Sequence, residues 1–208
     1  MARRTKDEAN ETRDAILNAA EKMFYARGVS RTTLEQIARA AGVTRGAVYW
    51  HFKDKLELCT VMTDRIFLPY EDMLKELVEQ TADAPLQALK KACLHSLKMM
   101  ASDKRRQNIV SILTLRCEYV EEMIGVMERR NQCKNRMLEA SEKVFARAKK
   151  MKTLAPCWTP RKAALTLQAL MTGLITCALE KPKEFGFSTT CIDSVEAFFS
   201  CLQVQDLK

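Results

Sequence analysis

Hydrophobic residues recur three and four positions apart along most of the chain, which is the spacing of amphipathic helices. Strand-type alternation is nearly absent, and 208 residues include only six Gly and five Pro. The pattern therefore predicts an all-α fold of about nine helices. Their predicted ranges are 8–27, two short helices within 33–55, then 54–80, 85–101, 103–122, 126–151, 159–180 and 188–204.

Two short helices joined by a tight turn are predicted between Thr33 and Lys55. Thr33 and Gln36 have the spacing of a capping box at the start of the first helix. Gly42 suits the left-handed residue that ends this helix, and Thr44 caps the second one. A helix that ends at Gly, a short turn and a second helix form the helix-turn-helix pattern.

The second short helix has one apolar side and one polar, aromatic side. Val48 and Phe52 lie one turn apart and point inward. A buried helical hairpin explains these two residues, but it leaves a run of outward aromatic rings without a partner. In a helix-turn-helix protein the start of this helix contacts base edges, so the pattern favours DNA binding. Its small, basic and aromatic positions are Thr44, Arg45, Gly46, Ala47, Tyr49, Trp50 and His51.

Three stretches of the sequence resemble one known family. The run AGVTRGAVYWHFKDK resembles the signature of TetR-family transcriptional regulators, and it is most similar to the AcrR-type branch, which represses multidrug efflux pumps. The opening ARRTKDEANETRDAILNAAEKMFYARGVSRTTL and the stretch RCEYVEEM at 116–123 are similar to the same branch.

The resemblance implies a DNA-binding domain at 1–55 and a ligand-binding and dimerisation domain at 56–208. It implies a dimer that binds the palindromic operator of an efflux operon and leaves it when a small molecule binds. It also places Thr33 and Lys55 at the DNA. Arg45 is expected to read a base, because Arg holds guanine through two hydrogen bonds. The other contacts are expected to be with phosphates.

Soft, bulky side chains are frequent from the fourth to the eighth predicted helix, where any single one is ordinary core. AcrR-like regulators hold a ligand cavity among these helices, so the resemblance implies that the set lines a cavity. Relatives often carry a Glu where this chain has Phe67, which favours an apolar or aromatic inducer. The implied ligand residues are Met62, Ile66, Phe67, Tyr70, Met73, Met100, Ile109, Ile112, Leu113, Cys133, Met137, Gln168 and Met171.

The last two predicted helices are apolar on too many faces for surface helices of a monomer. The resemblance implies that the pair forms a four-helix interface with a second copy, and dimeric helix-turn-helix proteins bind palindromes. The expected interface residues are Leu165, Thr172, Ile175, Val195, Phe198, Phe199 and Leu202.

The formal net charge is +8, and the basic excess is concentrated in two regions. Residues 1–55 hold eleven Lys/Arg and seven Asp/Glu, and residues 129–152 hold nine and two. The first excess surrounds the predicted DNA-binding unit. The second lies on the seventh helix, where the charges either face water or, at Lys134 or Arg136, favour an anionic ligand. A basic architectural DNA-binding protein without a ligand is the alternative function.

The composition argues against an enzyme, a metalloprotein and a membrane protein. The chain has two His, no glycine-rich phosphate loop and no nucleophile elbow, and none of its eight Cys forms a C-x-x-C pair. No cofactor or metal is expected. The Cys are interpreted as reduced thiols of a cytoplasmic protein, with redox sensing as the alternative. Neither a signal peptide nor a membrane-spanning run is predicted.

Overall fold

The computed structural model describes residues 6–79, 83–118 and 123–203, and its regular elements there are helices, which confirms the all-α fold. The N-terminal arm up to residue 5 and the predicted helix ends at Gln80, Glu122 and Val204 lie outside the described residues. The nine helices of the described ranges are α1 (Lys6–Arg27), α2 (Leu34–Ala41), α3 (Arg45–His51), α4 (Lys55–Glu79), α5 (Pro85–Ser102), α6 (Lys104–Leu115), α7 (Ile124–Lys150), α8 (Pro160–Glu180) and α9 (Thr190–Leu202).

The chain forms two compact units, each with a hydrophobic core of its own. The first consists of Met1–Ile66 and Asn108–Arg130, and the second of Phe67–Gln107 and Asn131–Lys208. Helices α4, α6 and α7 contribute residues to both units. The division into functional domains at residue 55 stays a prediction, because a shared core does not report which residues bind DNA or ligand.

The core of the first unit joins the apolar sides of the three N-terminal helices to residues of α4, α6 and α7. Val48 and Phe52 are buried in this core, as their spacing predicted. The core thereby fixes the orientation of α3, since one side of that helix is held away from solvent. Other buried members are Ile16, Leu17, Phe24, Ile37, Leu58, Met62, Ile109, Ile112 and Val126.

Polar side chains cap the starts of α4 and α8. Before α4, the Asp54 carboxylate accepts a hydrogen bond from the Glu57 amide at 2.9 Å. The Glu57 carboxylate in turn accepts one from the Lys53 amide at 2.7 Å. Before α8, the Thr159 hydroxyl accepts one from the Lys162 amide at 3.2 Å, with Pro160 in the first turn.

Two expectations about the segment around α6 and α7 are wrong. Helix α6 ends at Leu115 rather than near residue 122, and the Arg116 carbonyl instead accepts a hydrogen bond from the Val29 amide at 3.2 Å. Helix α7 begins at Ile124 rather than at residue 126, so Gly125 lies inside that helix. A Cβ on Gly125 would lie 3.1 Å from a methyl carbon of Leu56. This glycine therefore permits a close approach of α7 to α4.

The second unit corrects part of the expected dimer interface. Val195, Phe199 and Leu202 on α9 are 0%, 1% and 0% exposed, and they belong to the core of their own unit. They have no surface to offer to a second chain, so placing them in an interface is wrong. The same core partly covers Ile175 and Phe198.

Helix α8 has one buried face and one exposed face. Among the described residues it is the one helix that is long and apolar enough to cross a membrane, by length and composition alone. Leu165 on α8 is 45% exposed, and Thr172 is exposed as well. The residues of α8 that are buried in the second unit are Ala163, Ala164, Leu167, Leu174 and Ala178.

Candidate nucleic-acid interface and ligand-binding residues

The turn between α2 and α3 is built by the residues that the sequence predicted. Gly42 has the left-handed conformation, with φ 69°, and its amide donates to the Arg39 carbonyl at 3.2 Å. The Val43 amide donates to the Ala38 carbonyl at 3.0 Å. These bonds satisfy carbonyls that the end of α2 leaves without a helical partner. The chain therefore turns sharply into α3.

Two threonines cap the helices of this motif, and both are exposed. The Thr33 hydroxyl accepts from the Gln36 amide at 3.2 Å, while the Gln36 side chain accepts from the Thr33 amide at 3.0 Å. The Thr44 hydroxyl accepts from the Ala47 amide at 3.2 Å. A hydroxyl that accepts a hydrogen bond can still donate one, so both threonines can donate to phosphate oxygens.

The outer face of α3 combines a cation with large aromatic surfaces. Trp50 is 73% exposed and Tyr49 48% exposed. The guanidinium carbon of Arg45 lies 5.4 Å from the centroid of the Tyr49 ring. The neighbouring Tyr49 side chain raises the pKa of Arg45. The His51 ring packs edge-on against Trp50 at 4.4 Å between centroids.

Gly46 has no side chain, so the backbone in the first turn of α3 is uncovered at this position. A Cβ added there would have the Thr44 hydroxyl oxygen, 3.9 Å away, as its nearest neighbour. The glycine is therefore not required by packing within the chain. A bare backbone at this position is what a close approach to DNA requires.

Lysines follow the aromatic face. Lys55 begins α4 and is partly buried, whereas Lys53, just before it, is exposed. Lys53 was not among the residues predicted from the sequence to contact DNA. Its exposed position beside the motif, two residues before Lys55, makes it a further candidate for a phosphate contact.

The predicted ligand residues divide between the two units, and their role in a cavity stays a prediction. In the first unit, Met62, Ile109, Ile112 and Leu113 are buried core, and Ile66 is partly buried. The second unit contains Phe67, Tyr70, Met73, Met100, Cys133, Met137, Gln168 and Met171.

Neutral polar groups accompany the apolar ligand candidates of the second unit. The Tyr70 hydroxyl lies 3.9 Å from the Cys93 sulfur. Burial raises the pKa of Tyr70 well above its usual value, and that of Cys93 to about 12, so both are uncharged near neutral pH. The Gln168 side-chain amide donates to the Lys134 carbonyl at 2.8 Å. These groups offer hydrogen bonds without a net charge.

Several basic residues of α7 form ion pairs or hydrogen bonds with other residues of the same chain. Arg129 pairs with Asp64 at 2.7 Å, and Arg136 pairs with Glu71 at 2.9 Å through two nitrogens. Carbonyl oxygens accept hydrogen bonds from three further residues, Arg130, Arg147 and Lys149. None of the eight basic residues from 129 to 150 is buried, and half of them are exposed, so the expectation that most charges here face water stays a prediction. An anionic ligand at Arg136 would have to displace Glu71.

Comparison with known proteins decides the family. Residues 16–60 match the bacterial regulatory proteins of the tetR family, and residues 84–204 match the C-terminal region of MAATS-type transcriptional repressors. The chain belongs to the TetR family. Its members among the similar proteins are transcriptional regulators and not enzymes.

Individual TetR-family relatives align over most of the chain. The HTH-type transcriptional repressor BepR of Brucella suis is 38% identical, over 88% of both chains. NalD, the secondary repressor of the MexAB-OprM multidrug efflux pump in Pseudomonas aeruginosa, is 40% identical, with a TM-score of 0.86 over 95% of this chain and 98% of NalD. SmeT of Stenotrophomonas maltophilia, in its triclosan complex, is 29% identical, with a TM-score of 0.85 over 95% and 94%.

Proposed function

We propose that this TetR-family regulator is a ligand-responsive repressor that binds a palindromic operator as a dimer and controls a multidrug efflux operon. The exposed face of α3, with Arg45, Tyr49 and Trp50 around the bare Gly46, is the observation that carries DNA binding. The alternative of an architectural protein without a ligand is not favoured, because residues 84–204 match a repressor C-terminal region.

The roles of the DNA contacts follow from their chemistry. Arg45 reads a base, because its planar guanidinium matches the two acceptors of guanine in the major groove. The remaining contacts position the protein on phosphates and carry no direct sequence information. They are Thr33, Thr44, Tyr49, Trp50, His51 and Lys55, with Gly46 and Ala47 allowing the backbone to approach.

Dimerisation uses the exposed face of α8. Leu165 and Thr172 lie on that face, and Ile175 and Phe198 keep part of their surface exposed beside it. A palindromic operator requires a two-fold dimer with one recognition helix for each half-site. The protein acts where the operator is, in the cytoplasm.

The inducer is a neutral, largely aromatic small molecule. The second unit offers apolar side chains with an uncharged phenol and amide, and Glu71 and Arg136 neutralise each other. The SmeT relative has been captured with triclosan, and NalD represses an efflux pump. Both observations support efflux control with an aromatic ligand.

The test is a footprint on DNA upstream of the protein's own gene, followed by titrations with and without triclosan as the probe. Arg45→Ala is expected to cost about 1–3 kcal/mol of operator binding and to relax preference at one position in each half-site. Lys55→Ala should weaken binding to every sequence alike and make the salt dependence shallower, because it removes a phosphate contact. Unchanged base preference in Arg45→Ala would contradict the assigned readout.

A further inference from the structure

Arg45 and Tyr49 are four residues apart on α3, so their side chains lie on one face of the helix. The guanidinium carbon of Arg45 is 5.4 Å from the centroid of the Tyr49 ring. That distance is within the range of a cation–π contact. Tyr49 is about half exposed, so part of its side chain remains open to solvent while the ring contacts Arg45.

An arginine on a solvated helix face samples many rotamers. Binding of the guanidinium to a base restricts it to one of them, which costs conformational entropy. A ring beneath the guanidinium reduces that number before DNA arrives. The neighbouring acidic residue Glu35 is paired with Arg39 at 3.8 Å, so its charge is shared with another arginine.

We propose that Tyr49 is a positioning residue for base readout, in addition to its phosphate contact. Its ring holds the Arg45 guanidinium in the orientation that binds guanine, and its hydroxyl contacts the DNA backbone. The two parts of one side chain thus have separable effects. The ring sets sequence preference without touching a base, and the hydroxyl sets affinity for all sequences. The inference rests on the proposed function, in which Arg45 reads a base.

The experiment measures binding of full-length Tyr49→Phe and Tyr49→Leu to the operator and to operators with each base of the half-site changed. Tyr49→Phe keeps the ring and loses the hydroxyl, so all sequences should weaken by one common factor. Tyr49→Leu loses the ring as well. It should also relax preference at the position read by Arg45, about two- to fivefold, the range of an exposed cation–π contact. Tyr49→Met provides a second ring-free variant if Tyr49→Leu does not fold.

A double-mutant comparison separates this inference from the proposed function. In an Arg45→Ala background, Tyr49→Leu should have no further effect on base preference, because there is no guanidinium left to position. If Arg45→Ala relaxes preference and Tyr49→Leu does not, the positioning role is wrong while base readout stands. Equal relaxation by Tyr49→Phe and Tyr49→Leu would also overturn it. If Arg45→Ala itself leaves preference intact, the readout underlying both proposals is wrong.

Discussion

At the residue scale, the helix-turn-helix motif contains two glycines that have different roles. Gly42 is left-handed, with φ 69°, so a side chain there is strained whatever space surrounds it. Gly46 is helical, and a Cβ added there would meet only the Thr44 hydroxyl oxygen, at 3.9 Å. The first glycine is therefore required by the backbone of the free protein. Neither backbone conformation nor packing within the chain requires the second.

We expect Gly46→Ala to leave the protein as stable as before or up to about 1 kcal/mol more stable, because Ala is the better helix former. Operator binding should nevertheless fall at least tenfold, since the added methyl group occupies the path of the DNA. Urea denaturation and operator titration of the same preparation check both parts.

Gly42→Ala is the matched control. It should lower the free energy of unfolding by about 1–2 kcal/mol, because an L-residue is forced into the left-handed region. Once folded, it adds no atom to the outer face of α3. A normal operator affinity for Gly46→Ala would show that the backbone of this turn does not approach DNA.

At the element scale, α7 approaches α4 at Gly125, where a Cβ would lie 3.1 Å from one methyl carbon of Leu56 and 3.3 Å from the other. Gly125→Ala combines a gain in helix propensity with crowding against Leu56, so we expect it to be more favourable when Leu56 is shortened to Ala. The coupling between the two changes should be about 0.5–3 kcal/mol. Thermal unfolding of the wild type, both single variants and the double variant measures it. Additive effects would contradict the close approach.

The start of an element could be predicted from sequence, but its end and its partner often could not. Thr33, Gly42, Thr44 and Asp54 act through hydrogen bonds to residues at most four positions away, so the local sequence contains the whole cause. The end of α6 depends instead on Val29, a residue almost ninety positions earlier, whose amide binds the Arg116 carbonyl.

The same limit applies to apolar stripes and basic runs. Val195, Phe199 and Leu202 have the spacing of an interface, and that spacing also fits a core. Only the position of the neighbouring helices decides between the two. The outward face of α3 was predictable because Val48 and Phe52 fix which side of a short helix is buried. The ion pair of Arg136 with Glu71 could not be predicted, since the two residues are far apart in sequence.

At the scale of the whole molecule, substitutions of exposed and of buried apolar residues should have different effects, because only the exposed residues are available for dimerisation. Leu165→Asp should yield folded monomers with little operator affinity, because the exposed side chain is absent from the core. Leu202→Asp should instead destabilise the fold by more than about 4 kcal/mol, because it places a carboxylate at a fully buried position. Sedimentation and circular dichroism of both variants make the comparison. A dimeric Leu165→Asp would exclude this face.

Induction is also a property of the whole chain, because α4 runs from Lys55 to Glu79 and contributes to both units. We expect Phe67→Ala to raise the triclosan concentration needed for release while ligand-free operator affinity changes little. Pro69 removes one helical hydrogen bond within α4, so Pro69→Ala should stiffen the helix and alter the response. A hundredfold loss of operator affinity requires about 2.7 kcal/mol of ligand preference for the released state. Identical responses of all three proteins would contradict a role for α4.

The first unit is assembled from two separate stretches of chain, and this sets an order of events during protein synthesis. Its core includes Ile109, Ile112 and Val126, which the ribosome adds long after the recognition helix. At roughly 5–20 residues per second, the 64 residues from Ile66 to Arg130 take about 3–13 s to make. During that interval the nascent chain carries α3 without the part of its core that α6 and α7 supply. A chain that stops before residue 108 lacks both this part of the core and the exposed face of α8, so it should not occupy the operator, even though every residue proposed to contact DNA has been translated.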